Sequence, residues 1–152
     1  MEVKKYIQEN ESRFIEELFS LIRIPSISAK PEHKEDMIAC ANRWKELLLE
    51  AGADRAEIMP TDGNPIVFAQ KQVSDDAPTI LIYAHYDVMP AEPLELWKSK
   101  PFEPEVRDGR IWARGADDDK GQSMIQVKAF EYLVRNGLLK NNIKFIFEGE
   151  EE

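Results

Sequence analysis

Cysteine is nearly absent from this sequence, and long apolar runs are missing altogether. Cys40 is the only cysteine, so no disulfide can form within the chain, which suits a reducing compartment. No stretch approaches the roughly 18 apolar residues of a transmembrane helix. The first six residues, MEVKKY, contain no apolar run fit for a signal peptide. We therefore expect a soluble, cytoplasmic protein with no membrane partner and with Cys40 as a small core residue.

Basic residues are also scarce relative to acidic ones. The chain has 20 lysines and arginines against 29 aspartates and glutamates, a formal net charge of −9. A nucleic-acid groove requires a basic stripe, so we expect no nucleic-acid partner. The acidic excess has two interpretations: it keeps the protein soluble, or several carboxylates converge on bound cations. At 152 residues, the chain is long enough for one domain with its own core.

The spacing of apolar residues predicts helices mixed with short strands. Apolar positions three, four and seven residues apart indicate a first helix from Ile7 to Ile22, which Pro25 ends. The next element is a second helix that starts near Pro31 and is closed by Gly52 in the cap position. Strands follow at 56–59 and 66–70, and a hairpin at 106–113 turns at Asp108-Gly109. A third helix from Asp119 to Asn136 has a narrow polar stripe of Lys128, Glu131 and Arg135, so we expect most of its circumference to be covered.

Two apolar runs predict central strands of an α/β sheet. The run at 79–84 is continuously apolar, which suits a strand buried on both faces, and the run at 143–147 alternates poorly. This order of elements predicts an α/β layered domain. Ligands of open α/β sheets bind beyond the carboxyl ends of the strands. His85 follows the first run and Glu148 follows the second. We therefore expect the polar residues after the two strands to meet at one edge of the sheet.

An imidazole and a carboxylate follow the first of these runs. His85 and Asp87 are two residues apart on an extended chain, so both point to one side. The carboxylate can accept the proton of one ring nitrogen and leave the other nitrogen free for a metal. Alternatively, His85 is an edge histidine hydrogen-bonded to its neighbour. His33, the other histidine, lies among charged residues and is expected to be solvated.

Two acidic stretches come later in the chain. Asp117, Asp118 and Asp119 precede the third helix, where capping explains one or two of them and a divalent cation explains the third. Glu148–Glu152 holds four glutamates, which form either a solvated loop or a metal ligand beside a proton acceptor for metal-bound water. One imidazole and several carboxylates suit zinc or a similar divalent ion.

The order and spacing of these segments resemble a family of zinc-dependent hydrolases. The family contains dipeptidases such as carnosinase, glutamate carboxypeptidase, aminoacylase, acetylornithine deacetylase and succinyl-diaminopimelate desuccinylase. The resemblance covers roughly residues 10–152. The segments that carry it are HYDVMP at 85–90, Trp97, PFEP at 101–104, Asp108-Gly109, RGADDDKG at 114–121 and EGEEE at 148–152.

The resemblance implies a role for each candidate residue. His85 would bind one metal ion, and Asp87 would orient its ring. Asp118 would bridge two metal ions. Glu151 would be the general base, and Glu152 would bind the other ion. In a register one residue earlier, the last pair would be Glu150 and Glu151.

The resemblance also implies a fold and an activity. The fold would be a three-layer αβα zinc-exopeptidase-like catalytic domain, with residues 1–152 as its incomplete N-terminal part, lacking the lid or dimerisation domain. The activity would be hydrolysis of amide bonds in dipeptides or small peptides with two divalent ions, zinc first and manganese or cobalt as alternatives. The segment from Pro90 to Pro104 and Arg114-Gly115-Ala116 favour the dipeptidase branch.

Two other functions stay open. One is an N-acyl-amino-acid deacylase with the same metal chemistry, acting on N-acyl amino acids. The other is an inactive metal-binding fragment or interaction module. Because the family carries a further acidic ligand, a further histidine ligand and a second domain downstream, we expect these 152 residues alone to hydrolyse peptides poorly. A full-length form would be a candidate homodimer.

Overall fold

The computed structural model describes residues 2–152 and has the expected mixture of helices and strands. Short 3-10 turns occur at Pro31–His33 and Leu94–Leu96. The helices are α1 (Val3–Ile22), α2 (Lys34–Glu50) and α3 (Lys120–Arg135), and the strands are β1 (Arg55–Met59), β2 (Ile66–Lys71), β3 (Thr79–His85), β4 (Glu105–Arg107), β5 (Arg110–Trp112) and β6 (Asn142–Glu148).

The ends of several elements follow the predicted signals, but α2 begins at Lys34, three residues after the predicted start at Pro31. Gly52 follows α2 with a φ of +110°, the left-handed region in which glycine commonly ends helices. Asp108 and Gly109 both have positive φ, 53° and 71°, as a two-residue turn between β4 and β5 requires. His33 is half-buried rather than fully solvated, and its Nδ1 lies 2.7 Å from Asp36 Oδ2.

Four strands form one mixed sheet in the order β1-β2-β6-β3. The pairs β1–β2 and β2–β6 are antiparallel, whereas β6 and β3 are parallel. In this parallel pair, Thr79 lies opposite Asn142 and His85 lies opposite Glu148. The carboxyl ends of β3 and β6 are therefore side by side.

All three helices contribute to a core on one face of the sheet. Trp44 of α2 contacts Phe147 edge-on, with ring centroids 5.0 Å apart, and Phe130 of α3 contacts Phe145 at 5.2 Å. Cys40 is buried in the same cluster, which confirms its predicted role as a core residue. Edge-to-face contacts of this kind add to the stabilisation that comes from burying apolar area. Residues 2–152 thus supply a helical layer and a sheet layer.

The prediction of a central strand at 79–84 is wrong for the described part of the chain. β3 lies at the edge of the sheet and pairs with β6 alone. Three residues of this strand, Ile80, Leu81 and Tyr83, are 48%, 58% and 53% exposed. An apolar run shows that a strand tolerates burial on both faces, but the elements beside it decide whether burial occurs. The corresponding prediction for 143–147 is confirmed, because β6 lies between β2 and β3.

Two of the three residues in the polar stripe of α3, Lys128 and Glu131, are buried, whereas Arg135 is exposed. Glu131 is buried, and its Oε1 accepts hydrogen bonds from Tyr6 Oη at 2.8 Å and from Arg13 Nη2 at 2.6 Å. Its Oε2 accepts a third from Lys128 Nζ at 2.7 Å. The exposed side of α3 instead carries Ile125, which is 70% exposed. Lys128 and Glu131 therefore do not mark the exposed side of α3, because charges that are paired can be buried.

Within residues 2–152, no helix combines the length and the apolar composition needed to cross a membrane.

We predict that Glu131→Gln lowers the free energy of unfolding by about 3–5 kcal/mol at pH 7, because it removes a buried carboxylate that pairs with buried Lys128 and half-buried Arg13. Burial alone would raise the pKa of Glu131, but its hydrogen-bond donors, Arg13 first, lower it to about 2. The native carboxylate therefore stays charged at a pH where the unfolded one is protonated. The loss should shrink as the pH falls from about 4.5 to about 2. Urea unfolding at several pH values measures both effects.

The matched control is Glu9→Gln, which removes an exposed carboxylate 3.7 Å from Lys5 on the surface of α1. Exposed pairs of this spacing contribute about 0.3–0.5 kcal/mol. Equal losses in the two variants, or a loss in Glu131→Gln that does not depend on pH, would contradict the prediction.

Candidate metal centre

The three stretches that carry the candidate ligands, 85–87, 117–119 and 148–152, meet where β3 and β6 end and α3 begins. His85 is the last residue of β3, and its Nε2 lies 3.1 Å from Asp118 Oδ1 and 3.8 Å from Glu151 Oε2. Asp118 lies two residues before the start of α3, and Glu151 lies three residues after the end of β6. The predicted convergence of one imidazole with two separated acidic stretches is confirmed.

Both ring nitrogens of His85 face acidic oxygens. Nδ1 lies 3.3 Å from Asp87 Oδ1 and 3.2 Å from Asp87 O, while Nε2 faces Asp118. Burial by itself would lower the pKa of the ring. The negative charges of Asp119, Asp87 and Glu151 outweigh burial, so the pKa of His85 is raised. The surrounding carboxylates thus stabilise a positive charge on the ring.

The three consecutive aspartates have different surroundings. Asp117 and Asp118 are exposed, whereas Asp119 is half-buried. Asp119 Oδ2 accepts hydrogen bonds from the backbone N–H of His85 at 3.1 Å and from the Ser123 hydroxyl at 3.0 Å. Asp119 is also the N-cap residue of α3. Hydrogen bonds within the fold therefore occupy the carboxylate of Asp119. The carboxylate of Asp118 instead faces the imidazole of His85.

The glutamates after β6 point in different directions. Glu150 Oε1 accepts a hydrogen bond from the backbone N–H of Asn64, in the turn between β1 and β2, at 3.1 Å. The carboxylate of Glu151 lies towards His85 instead. Burial first, and then the nearby carboxylates, raise the pKa of Glu152. This division favours the register in which Glu151 and Glu152 belong to the site over the one with Glu150 and Glu151.

Asp87 is the buried centre of this arrangement. Its Oδ1 faces the ring of His85 and accepts the backbone N–H of Glu151 at 3.3 Å. Its Oδ2 accepts the hydroxyl of Ser28 at 2.7 Å and the backbone N–H of Glu152 at 3.0 Å. A buried carboxylate requires such donors, since an unpaired one is costly. Asp87 therefore contacts the backbone of the glutamates as well as the imidazole.

The donor chemistry of the site fits a divalent cation. An imidazole nitrogen and carboxylate oxygens are the ligands that zinc and related ions take in proteins. Across residues 2–152, however, no group of three or more His, Cys, Asp or Glu side chains is placed to hold a metal ion. Of the predicted ligands, His85 and Asp118 contact each other directly. Glu152 joins them through its backbone bond to Asp87.

The sequence did not predict several residues that support the site. Ser26 Oγ donates to the carbonyl of Tyr86 at 2.6 Å. Lys120 is fully buried, and its Nζ donates to the carbonyls of Leu21 at 3.0 Å and Ile24 at 2.8 Å. The available signals were short polar residues in an extended segment and a lysine beside three aspartates. Neither signal identifies partners that lie 60 to 99 residues away.

Comparison with known proteins points to a peptidase family. Residues 81–152 match the family described as Peptidase family M20/M25/M40. A cysteinylglycine-S-conjugate dipeptidase of Corynebacterium striatum is 36% identical over 94% of this chain and 31% of that protein. A succinyl-diaminopimelate desuccinylase of Janthinobacterium sp. (strain Marseille) is 34% identical over 87% of this chain and 33% of that protein. The chain spans about a third of the length of these relatives.

A solved structure has the same fold. An M20 family metallo-carboxypeptidase from Sulfolobus solfataricus is 37% identical, with a TM-score of 0.83 over 91% of this chain and 31% of that chain. The α/β fold and the family resemblance predicted from the sequence are both confirmed. Residues 81–152, just under half of the chain, are thus similar to peptidase family M20/M25/M40.

Proposed function

We propose that the chain is the N-terminal part of the catalytic domain of a metal-dependent dipeptidase. The observation that carries this proposal is the meeting of His85 Nε2 with the carboxylates of Asp118 and Glu151 beyond the ends of two parallel strands. The family and the dipeptidase relative support peptide hydrolysis in general. The substrates would be dipeptides or small peptides, and the protein would work in the cytoplasm.

The residues of the site have complementary roles in this proposal. His85 would hold one of two divalent ions and Glu152 the other, and Asp118 would be a ligand shared by both, with zinc the first choice. When bound, the ions would polarise the scissile carbonyl and lower the pKa of a water molecule. Asp87 engages Nδ1 of the imidazole, so that Nε2 is left for the ion. Glu151 takes the proton of the attacking water and passes it to the departing amine.

The surroundings of Glu151 suit a general base. Its backbone N–H is held by Asp87, which fixes where the side chain starts. Its side chain is 49% exposed, so a substrate and a water molecule can reach the carboxylate from solvent. A base must come within hydrogen-bond reach of the proton that it removes. Glu150 meets this requirement less well than Glu151, because its carboxylate is hydrogen-bonded to the β1–β2 turn.

A deacylase is the second candidate. The specific observation in its favour is the 34% identity to a succinyl-diaminopimelate desuccinylase. Its metal chemistry would be the same, and the substrate would be an N-acyl amino acid. A chain that binds metal without turnover is the remaining alternative.

Dimerisation of a longer form of the protein is a further proposal, which sedimentation analysis of that form would test.

We predict that unblocked dipeptides are hydrolysed in preference to N-acetyl and N-succinyl amino acids. Zinc-, manganese- and cobalt-loaded protein is assayed against a panel of these substrates, using this chain and, where it continues beyond Glu152, the full-length protein. Because only part of the family's ligand set lies in these residues, turnover by the 152-residue chain alone should be poor. A preference for acylated substrates would select the deacylase instead.

We predict that Asp118→Ala abolishes binding of two metal ions, because Asp118 is the shared ligand. The loss should exceed the roughly 10–100-fold effect of residues that only orient a ligand. Isothermal titration with zinc and cobalt measures affinity and stoichiometry. Asp117→Ala is the matched control, since Asp117 is an exposed neighbour of the same type. Unchanged stoichiometry in Asp118→Ala would remove this residue from the site.

We predict that Glu151→Gln lowers kcat by roughly 10²–10⁴-fold, the usual contribution of a general base. The reason is that the amide of glutamine cannot accept the proton of the attacking water. Metal binding should remain close to that of the unmodified protein, because the backbone bond to Asp87 is kept. Glu150→Gln is the control and should leave kcat nearly unchanged. The assay uses the form of the protein with the highest activity. The reverse order of effects would favour the earlier register.

A further inference from the structure

The carboxylate of Asp87 joins separate segments of the chain at one point. Oδ1 serves His85 and the backbone N–H of Glu151, while Oδ2 serves Ser28 and the backbone N–H of Glu152. The two oxygens therefore have different partners. A rotation of the carboxylate about its Cβ–Cγ bond would disturb all four contacts together, and that torsion has only a broad intrinsic preference.

Ser28 supplies the shortest of these contacts, 2.7 Å from its hydroxyl to Oδ2. The backbone N–H groups of Glu151 and Glu152 also donate to Asp87, at 3.3 and 3.0 Å. These two residues lie beyond the end of β6 and outside any strand or helix. The serine, by contrast, belongs to a segment that is anchored independently of them.

The segment around Ser28 is tied to both sides of the site. Ser26 Oγ donates to Tyr86 O at 2.6 Å, and the backbone N–H of Val88 donates to Ser26 O at 2.9 Å. On the other side, Lys120 Nζ donates to Ile24 O at 2.8 Å. The segment at 24–28 therefore contacts the chain next to Asp87 and the start of α3, and it presents the hydroxyl of Ser28 from a fixed position.

We propose that Ser28 is a positioning residue of the metal site. Its hydroxyl fixes the carboxylate of Asp87, and Asp87 in turn holds the imidazole of His85 and the backbone of Glu151 and Glu152 in one arrangement. A single hydroxyl outside the acidic stretches thus couples the orientation of a metal ligand to the position of the general base. The consequence for metal binding rests on the proposed function, whereas the consequence for the backbone of Glu151 and Glu152 does not.

The first test uses the metal-free chain. In ¹H–¹⁵N spectra, Ser28→Ala should shift the amide signals of Glu151 and Glu152 and raise their exchange rates by about tenfold or more, as loss of a hydrogen bond to a charged group implies. Ser28→Thr keeps the hydroxyl and should restore both signals. Unchanged amides in Ser28→Ala would overturn the proposal, whatever the metal binding.

The matched control is Ser20→Ala. Ser20 is also half-buried, donates to Glu17 O at 2.6 Å and accepts from Arg43 Nε at 2.9 Å, and its hydroxyl is not a partner of Asp87. This variant loses an equivalent hydroxyl and should leave the amides of Glu151 and Glu152 unchanged. The same change in both serine variants would show a general loss of structure and would overturn a specific role for Ser28.

The second test titrates the same proteins with cobalt and records the visible absorption of the bound ion. Ser28→Ala should weaken binding by roughly 10–100-fold and alter the spectrum, with Ser28→Thr restoring both. Cobalt affinity and spectrum unchanged in Ser28→Ala would overturn the positioning role. Failure of the unmodified protein to bind cobalt would contradict the proposed function instead, and the amide measurement would then decide the role of Ser28.

Discussion

The parallel pairing of β3 with β6 is the interaction on which the site depends. Its register places His85 opposite Glu148, and the backbone N–H of Tyr86 continues the pairing by donating to Glu148 O at 2.8 Å. A slip of one residue would turn every side chain of a strand to the other face. Phe145 and Phe147 oppose such a slip, because both are buried against the helices and would become exposed. Packing on one face of the sheet therefore positions the chemistry at its end.

Buried carboxylates organise two separate parts of the molecule. Glu131 connects α1 to α3 through Tyr6 and Arg13, and Asp87 connects the end of β3 to the segment of Ser28 and to the chain beyond β6. Each carboxylate is surrounded by donors from remote segments, which offset the cost of removing it from water. Apolar contacts drive these segments together without strong directionality. The directional bonds to the carboxylates then specify how the segments lie relative to one another.

Local features were predictable because nearby residues cause them. The turn at Asp108-Gly109 has the positive φ values that its residues favour, and α3 begins directly after the aspartates. The exposure of β3 and the burial of Glu131 were not predictable in this way. Glu131 is bonded to Tyr6, 125 residues away, and an amphipathic pattern on one helix does not reveal a charged partner on another. Likewise, the apolar run of β3 does not state which elements will cover it.

The sequence by itself determined the chemical composition of the site and the edge on which it lies. An imidazole after one strand, carboxylates before a helix and carboxylates after a second strand must meet when those strands are parallel neighbours. Only the tertiary structure decided the direction of each carboxylate: Glu151 towards His85, Glu150 towards Asn64, and Asp87 onto Ser28. The physical reason is that a hydrogen bond acts over about 3 Å and depends on angle. Donors contributed by distant segments therefore set these directions, and spacing along the chain does not.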